Sequence, residues 1–127
     1  MNLLDENVRD DQRTLLRQWR IPFRQVGKEI SHAGIHDDNL LPLLHRLKRP
    51  TFFTLDHGFY HPALRHQGYC LVFLDVWEDE AAEYIRRLLR HAAFRTQAQR
   101  MGKVVCVHHN GVSYWQVNVR KVQDLSW

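Results

Sequence analysis

Short apolar runs and helix-spaced apolar stripes take turns along the chain. Residues 1–5, MNLLD, form a brief apolar run that stops on Asp5, which predicts a buried strand. In the following DDQRTLLRQWR, Leu15, Leu16 and Trp19 recur at helical spacing behind two acids, the order a helix dipole favours. PFRQVG, from Pro22 to Gly27, alternates like a strand and ends at glycine. Beyond a loop around SHAG, Leu40, Leu44 and Leu47 share one face of a second helix. Pro42 lacks an amide hydrogen and belongs in the first helical turn. This predicts Asn39 as the cap and places Asp37 and Asp38 just ahead of the helix.

The second half follows the same grammar. TFFTLD (51–56) and YCLVFLDV (69–76) are β-branched, aromatic and nearly continuously apolar, as strands covered on both faces are. The segment EDEAAEYIRRLLRHAAFRTQAQR predicts the longest helix. Ala81, Ile85, Leu88, Leu89 and Ala92 make its core stripe, with Arg86, Arg87 and Arg90 on the other side. That arginine cluster reads as a solvated face or, alternatively, as a surface for phosphates. Asn110-Gly111 between two strand-like runs predicts a terminal β-hairpin, on which Tyr114 and Trp115 face opposite ways. The architecture expected is one α/β domain over residues 1–127. Its α/β core, 1–101, carries a mostly parallel sheet, and a C-terminal β-hairpin, 102–120, is appended to it.

Composition narrows the class. A chain of 127 residues that is 44% hydrophobic can bury one core. Eighteen Lys and Arg against fourteen Asp and Glu leave +4, an inclination toward polyanions or simply a soluble surface. Cys70 and Cys106 sit inside apolar runs as reduced, buried thiols, which implies a cytoplasmic protein. Acids stand where a signal peptide has its basic region, and no run is long enough to span a bilayer, so no membrane role is expected.

The candidate chemistry lies where strands end. Asp5, Asp56 and Asp75 each follow an apolar run, and ligands of parallel sheets bind beyond the carboxyl ends of the strands. Asp37 and Asp38 reach the same edge if the crossovers are right-handed. Clustered carboxylates repel unless a cation sits among them, and hard oxygens recruit Mg²⁺ or Mn²⁺. The plain alternative is that each acid marks a turn. Asp75 keeps that reading, because Glu78, Asp79 and Glu80 lead directly into a helix.

LLDENV at 3–8, HDDNLL at 36–41 and TLDHGF at 54–59 resemble, in order and spacing, the three motifs of the small stand-alone PIN-like nucleases, relatives of the PIN-domain toxins of toxin-antitoxin pairs. The resemblance covers residues 1–76 and extends loosely through the long helix. It implies a three-layer α/β/α PIN-like fold and a Mg²⁺- or Mn²⁺-dependent endoribonuclease, the toxin partner of an antitoxin protein, with homodimers common among relatives. By position, Asp5, Asp37 and Asp56 would be the catalytic metal ligands. Glu6, Asn7, Asp38 and His57 would support them, and Arg86, Arg87 and Arg90 would be weak candidates for RNA contact. The third motif of the family reads Asp-x-Asp-Phe. Here Gly58 replaces its second acid. A catalytically silent PIN-like module that binds RNA or protein is therefore an alternative.

Other constellations are weaker. His108-His109, His57 with His61, and His32 with His36 lack a second pair at finger-like spacing. No nucleophile elbow or glycine-rich phosphate loop occurs. A phosphoacceptor receiver domain also places acids after its strands. However, about twelve residues between Asp56 and Tyr69 leave no room for its crossover helix. A free edge on the hairpin would suit a second copy or an antitoxin peptide.

Overall fold

Leu3 and Leu4 are both fully buried although neighbours in a strand face opposite ways, so the first strand needs cover on both sides. The structure, a computed structural model, describes residues 1–27 and 37–127, apart from the side chains of Asp37 and Asp38. Its elements are β1 (Asn2–Leu4), α1 (Asp10–Gln18), β2 (Arg24–Gln25), α2 (Asp37–Arg46), β3 (Thr51–Thr54) and β4 (Cys70–Leu74), then α3 (Ala81–Arg90), α4 (Gln97–Arg100), β5 (Lys103–His108), β6 (Gly111–Gln116) and β7 (Gln123–Ser126). The strands form one sheet in the order β2-β1-β3-β4-β5-β6-β7. It is parallel from β2 through β5 and antiparallel beyond.

One face buries Leu4, Phe53, Val72 and Val105 under α1 and α3, through Leu16, Ile85 and Leu88. The other buries Leu3, Phe52, Leu71 and Val104 under α2, through Leu40, Leu43 and Leu44. This is a three-layer α/β/α arrangement, with the mostly parallel sheet and C-terminal hairpin that the pattern of runs predicts. Tyr114 and Trp115 pack onto opposite faces of it. Between β3 and β4 the chain makes only two 3-10 turns, His57–Phe59 and Pro62–Leu64. Among the described residues, no helix is long and apolar enough to cross a membrane.

Several expectations are corrected. Helix α2 starts at Asp37, ahead of the predicted cap Asn39, so Pro42 lies inside it and forfeits one helical hydrogen bond. Burial of Leu40, Leu43 and Leu44 against the sheet outweighs that loss. The long helix stops at Arg90, since His91 turns extended (ψ 135°) and its Nδ1 accepts from Ala93 N. The chain then re-enters a helix at Thr96, which caps α4 through Gln99 N. Ala92 consequently leaves the core stripe and is exposed, while Phe94 is fully buried in its place. The hairpin has no free outer edge either, because β7 pairs along β6.

The hand of one crossover also differs from expectation. Going from β1 to β2 the chain moves one way across the sheet, and from β4 to β5 the other way, yet α1 and α3 share a face. These two crossovers are therefore of opposite hand. Helix α2 and the β3–β4 connection, which cover the other face, match the first, so the α3 crossover is the one whose hand differs.

Candidate active site

With strand order 2-1-3-4-5, consecutive connections leave β1 and β3 in opposite directions, which makes their carboxyl ends the topological switch point of the sheet. Asp5 and Asp56 follow those two strands. Asp5 continues the ladder, its N–H donating to Phe53 O at 2.9 Å. Thr54, the last residue of β3, is fully buried and ties the two acids together. Its hydroxyl donates to Asp5 Oδ2 at 2.7 Å, and accepts from Asp56 N at 3.0 Å and from Asn7 Nδ2 at 3.3 Å. One donor and two lone pairs are thus all used.

The neighbouring groups hold each carboxylate further. Asp5 Oδ1 accepts from Glu6 N at 2.7 Å, and Asp56 Oδ1 accepts from Gly58 N at 2.9 Å, capping the turn that begins at His57. Asn7 Oδ1 accepts from Leu55 N at 3.2 Å, so this side chain clamps the β1 end to the β3 end. Asn7 thus joins the chain after β1 to the end of β3. Glu6 turns toward β2, where a Cβ at Gly27 would lie 2.6 Å from its Oε1. Gly27 adopts φ +88°, and with Glu6 and Asn7 it lines a cleft of about 430 Å³. His57 packs edge-on against Phe73, ring centroids 5.3 Å apart.

The remaining candidates fall elsewhere or outside the described residues. The side chains of Asp37 and Asp38 are in the latter class, as are His32 and His36. Among the described residues no group of three or more His, Cys, Asp or Glu is placed to hold a metal ion. Asp75 directly follows β4, and Glu78–Glu80 form the turn that leads into α3, in keeping with their turn-forming reading. Arg86, Arg87 and Arg90 lie on α3. Arg86 and Arg87 both pair with Glu83, at 2.5 and 3.1 Å, and stack over Trp19 and Tyr84. Burial pushes the Glu83 carboxyl up, but hydrogen bonds from Arg87 and Arg86 outweigh it and hold the group below its ordinary value.

Two working residues escape a reading based on periodicity. Thr54 passes for an ordinary β-branched strand residue, and its position directly before a strand-end Leu-Asp is the only local hint. Gln12 is buried on α1, where its Oε1 accepts from Ala82 N at 2.9 Å and satisfies the first turn of α3. Comparison with family models, curated proteins and solved structures returned no match to this chain.

Proposed function

We propose that the chain is a Mg²⁺- or Mn²⁺-dependent endoribonuclease of PIN-like type, acting as the toxin of a toxin-antitoxin pair. The observation that carries the reading is that the Thr54 hydroxyl holds both the Asp5 carboxylate and the backbone N–H of Asp56, which sets these two acids at the neighbouring carboxyl ends of β1 and β3. Hard carboxylate oxygens on adjacent strand ends fit a small divalent ion, which commonly takes one or two protein carboxylates and leaves its other positions to water and phosphate. Asp5 and Asp56 would hold it, joined by Asp37 at the head of α2. Once bound, such an ion activates water and neutralises charge on a scissile phosphate.

The chain's own groups prepare that site. Thr54 and Glu6 N fix both oxygens of Asp5, and Gly58 N orients Asp56, so the carboxylates are set before substrate arrives. Asn7 keeps the two strand ends in register. A catalytically silent RNA- or protein-binding module is the second reading, and Gly58 favours it. It stands where the family motif carries an acid, and a Cβ there would press on Asp56 Oδ1 at 3.2 Å.

Incubation of purified protein with RNA and Mn²⁺, repeated with Asp5→Asn and Asp56→Asn, decides between them. The expected result is metal-dependent cleavage reduced at least 100-fold in either variant, in line with loss of a metal-centred electrostatic contribution. Cleavage that persists in both variants, or none by the native chain, sinks the nuclease reading. Expression in bacteria should arrest growth, and the same substitutions should relieve the arrest.

A further inference from the structure

Trp77 is 73% exposed, whereas the next most exposed large hydrophobic among the described residues, Val122, is 40%. The other three tryptophans have ring or cation partners. Arg86 lies over Trp19, Arg65 over Trp115, and Trp127 contacts Tyr84 and His91. Among the described residues none stacks on Trp77. Its backbone is nevertheless fixed. Trp77 N donates to Glu80 Oε1 at 3.1 Å and Glu80 N donates to Trp77 O at 2.9 Å. Glu80 Oε1 also lies 2.9 Å from His109 Nε2, and the His109 ring packs edge-on against Tyr84. The indole is thus presented to solvent from a braced turn.

The surroundings of the indole carry a definite sign. A cavity of about 310 Å³ opens beside it, lined by Asp75, Val76, Trp77, His108, His109 and Asn110, with no lysine or arginine. Glu78 and Asp79 follow the indole directly, and the Glu78 side chain is 69% exposed. Among the described residues, Arg9 reaches this rim at 4.0 Å from Glu78, but its guanidinium is held by both carboxylate oxygens of Asp11 at 3.0 Å. A negative rim around a bare aromatic face, on a chain of net charge +4, repels phosphate and attracts a guanidinium or ammonium group.

We propose that the carboxyl edge of β4 and β5 is a docking site for a cationic, Arg- or Lys-bearing segment of a protein partner, with Trp77 as its aromatic anchor and Asp75, Glu78 and Asp79 as its counter-charges. The proposal rests on exposure and charge, and holds whether or not the chain cleaves RNA.

The test titrates the full chain, without divalent metal, into fluorescein-labelled hexa-arginine and into labelled hexa-uridylate, followed by anisotropy. The expected result is binding of the arginine peptide that weakens with salt. It should weaken roughly 3- to 30-fold in Trp77→Ala, the range a cation–π contact spans, and survive largely in Trp77→Phe. Glu78→Gln with Asp79→Asn should weaken it too. Asp5→Asn with Asp56→Asn should leave it unchanged, which separates this site from the carboxyl ends of β1 and β3. Peptide affinity equal in the native chain and Trp77→Ala overturns the proposal. So does dependence on Asp5 and Asp56 alone, or a Trp77-dependent affinity for the oligonucleotide in place of the peptide. An unchanged melting temperature for Trp77→Ala, whose side chain is exposed, excludes misfolding.

Discussion

Thr54 shows how a single buried hydroxyl can organise a site. It lies 49 residues from Asp5 in sequence, yet its donor is spent on that carboxylate and its lone pairs on Asp56 N and Asn7 Nδ2. Thr54→Val keeps the shape and removes every one of these bonds. It should destabilise the fold by about 1–3 kcal/mol, because polar groups at the strand ends lose their partner. Thr54→Ser should retain most of the stability. Urea denaturation of the three proteins checks this, and a valine variant as stable as the native chain would show that the hydroxyl is dispensable. Glu83 shows the opposite case at the same scale. It gathers Arg86 and Arg87, two of the three arginines on this side of α3, onto one carboxylate.

Among the elements, the terminal strands were only partly legible. Asn110-Gly111 announces the turn between β5 and β6 because the required backbone is a local property. Strand β7 gives no such signal, since its residues alternate between half-buried and exposed and it becomes a strand by pairing with β6. Gly111 begins the pairing between the two, opposite Ser126. It has φ +152°, and a Cβ there would run into the carbonyl of Leu125. Gly111→Ala should therefore cost about 1–3 kcal/mol, as overpacking does. It should also speed amide hydrogen exchange across β6 and β7 more than across β1 and β3. Uniform exchange rates would contradict this account. Helix α4 had a local signal that periodicity overrides. Thr96 and Gln99 form a capping box, with Thr96 Oγ1 accepting from Gln99 N at 3.2 Å and Gln99 Oε1 from Thr96 N at 2.9 Å.

For the molecule as a whole, protonation of buried groups sets an alkaline limit. Burial pushes the Cys70 thiol up to about 12, and burial with the Asp75 carboxylate pushes Cys106 up to about 11. Tyr60 is raised to about 12, first by burial and then by Cys106 and Asp124. In each case the folded state holds the proton more tightly than the unfolded chain. The resulting stability is complete below about 9, the ordinary thiol value, and is lost as pH climbs toward 11 and 12. The melting temperature should therefore fall steadily above pH 9, and a flat profile to pH 11 would refute the assignment. The same whole-molecule view explains why acids gather at one edge. Strands deliver Asp5, Asp56 and Asp75 there, and α1 and the turn before α3 begin there with acids of their own. What the sequence by itself determined was the α/β class with a mostly parallel sheet, the two-sided burial of β3 and β4, the hairpin turn and the strand-end position of the acids. All of these follow from the identity of a residue and its near neighbours. Only the tertiary structure decided the Thr54 bridge, the stacking of Arg86 over Trp19, the differing hand of the α3 crossover and the pairing of β7. Most of these join residues far apart in the chain, and which of them meet depends on strand order and register, which no local pattern encodes.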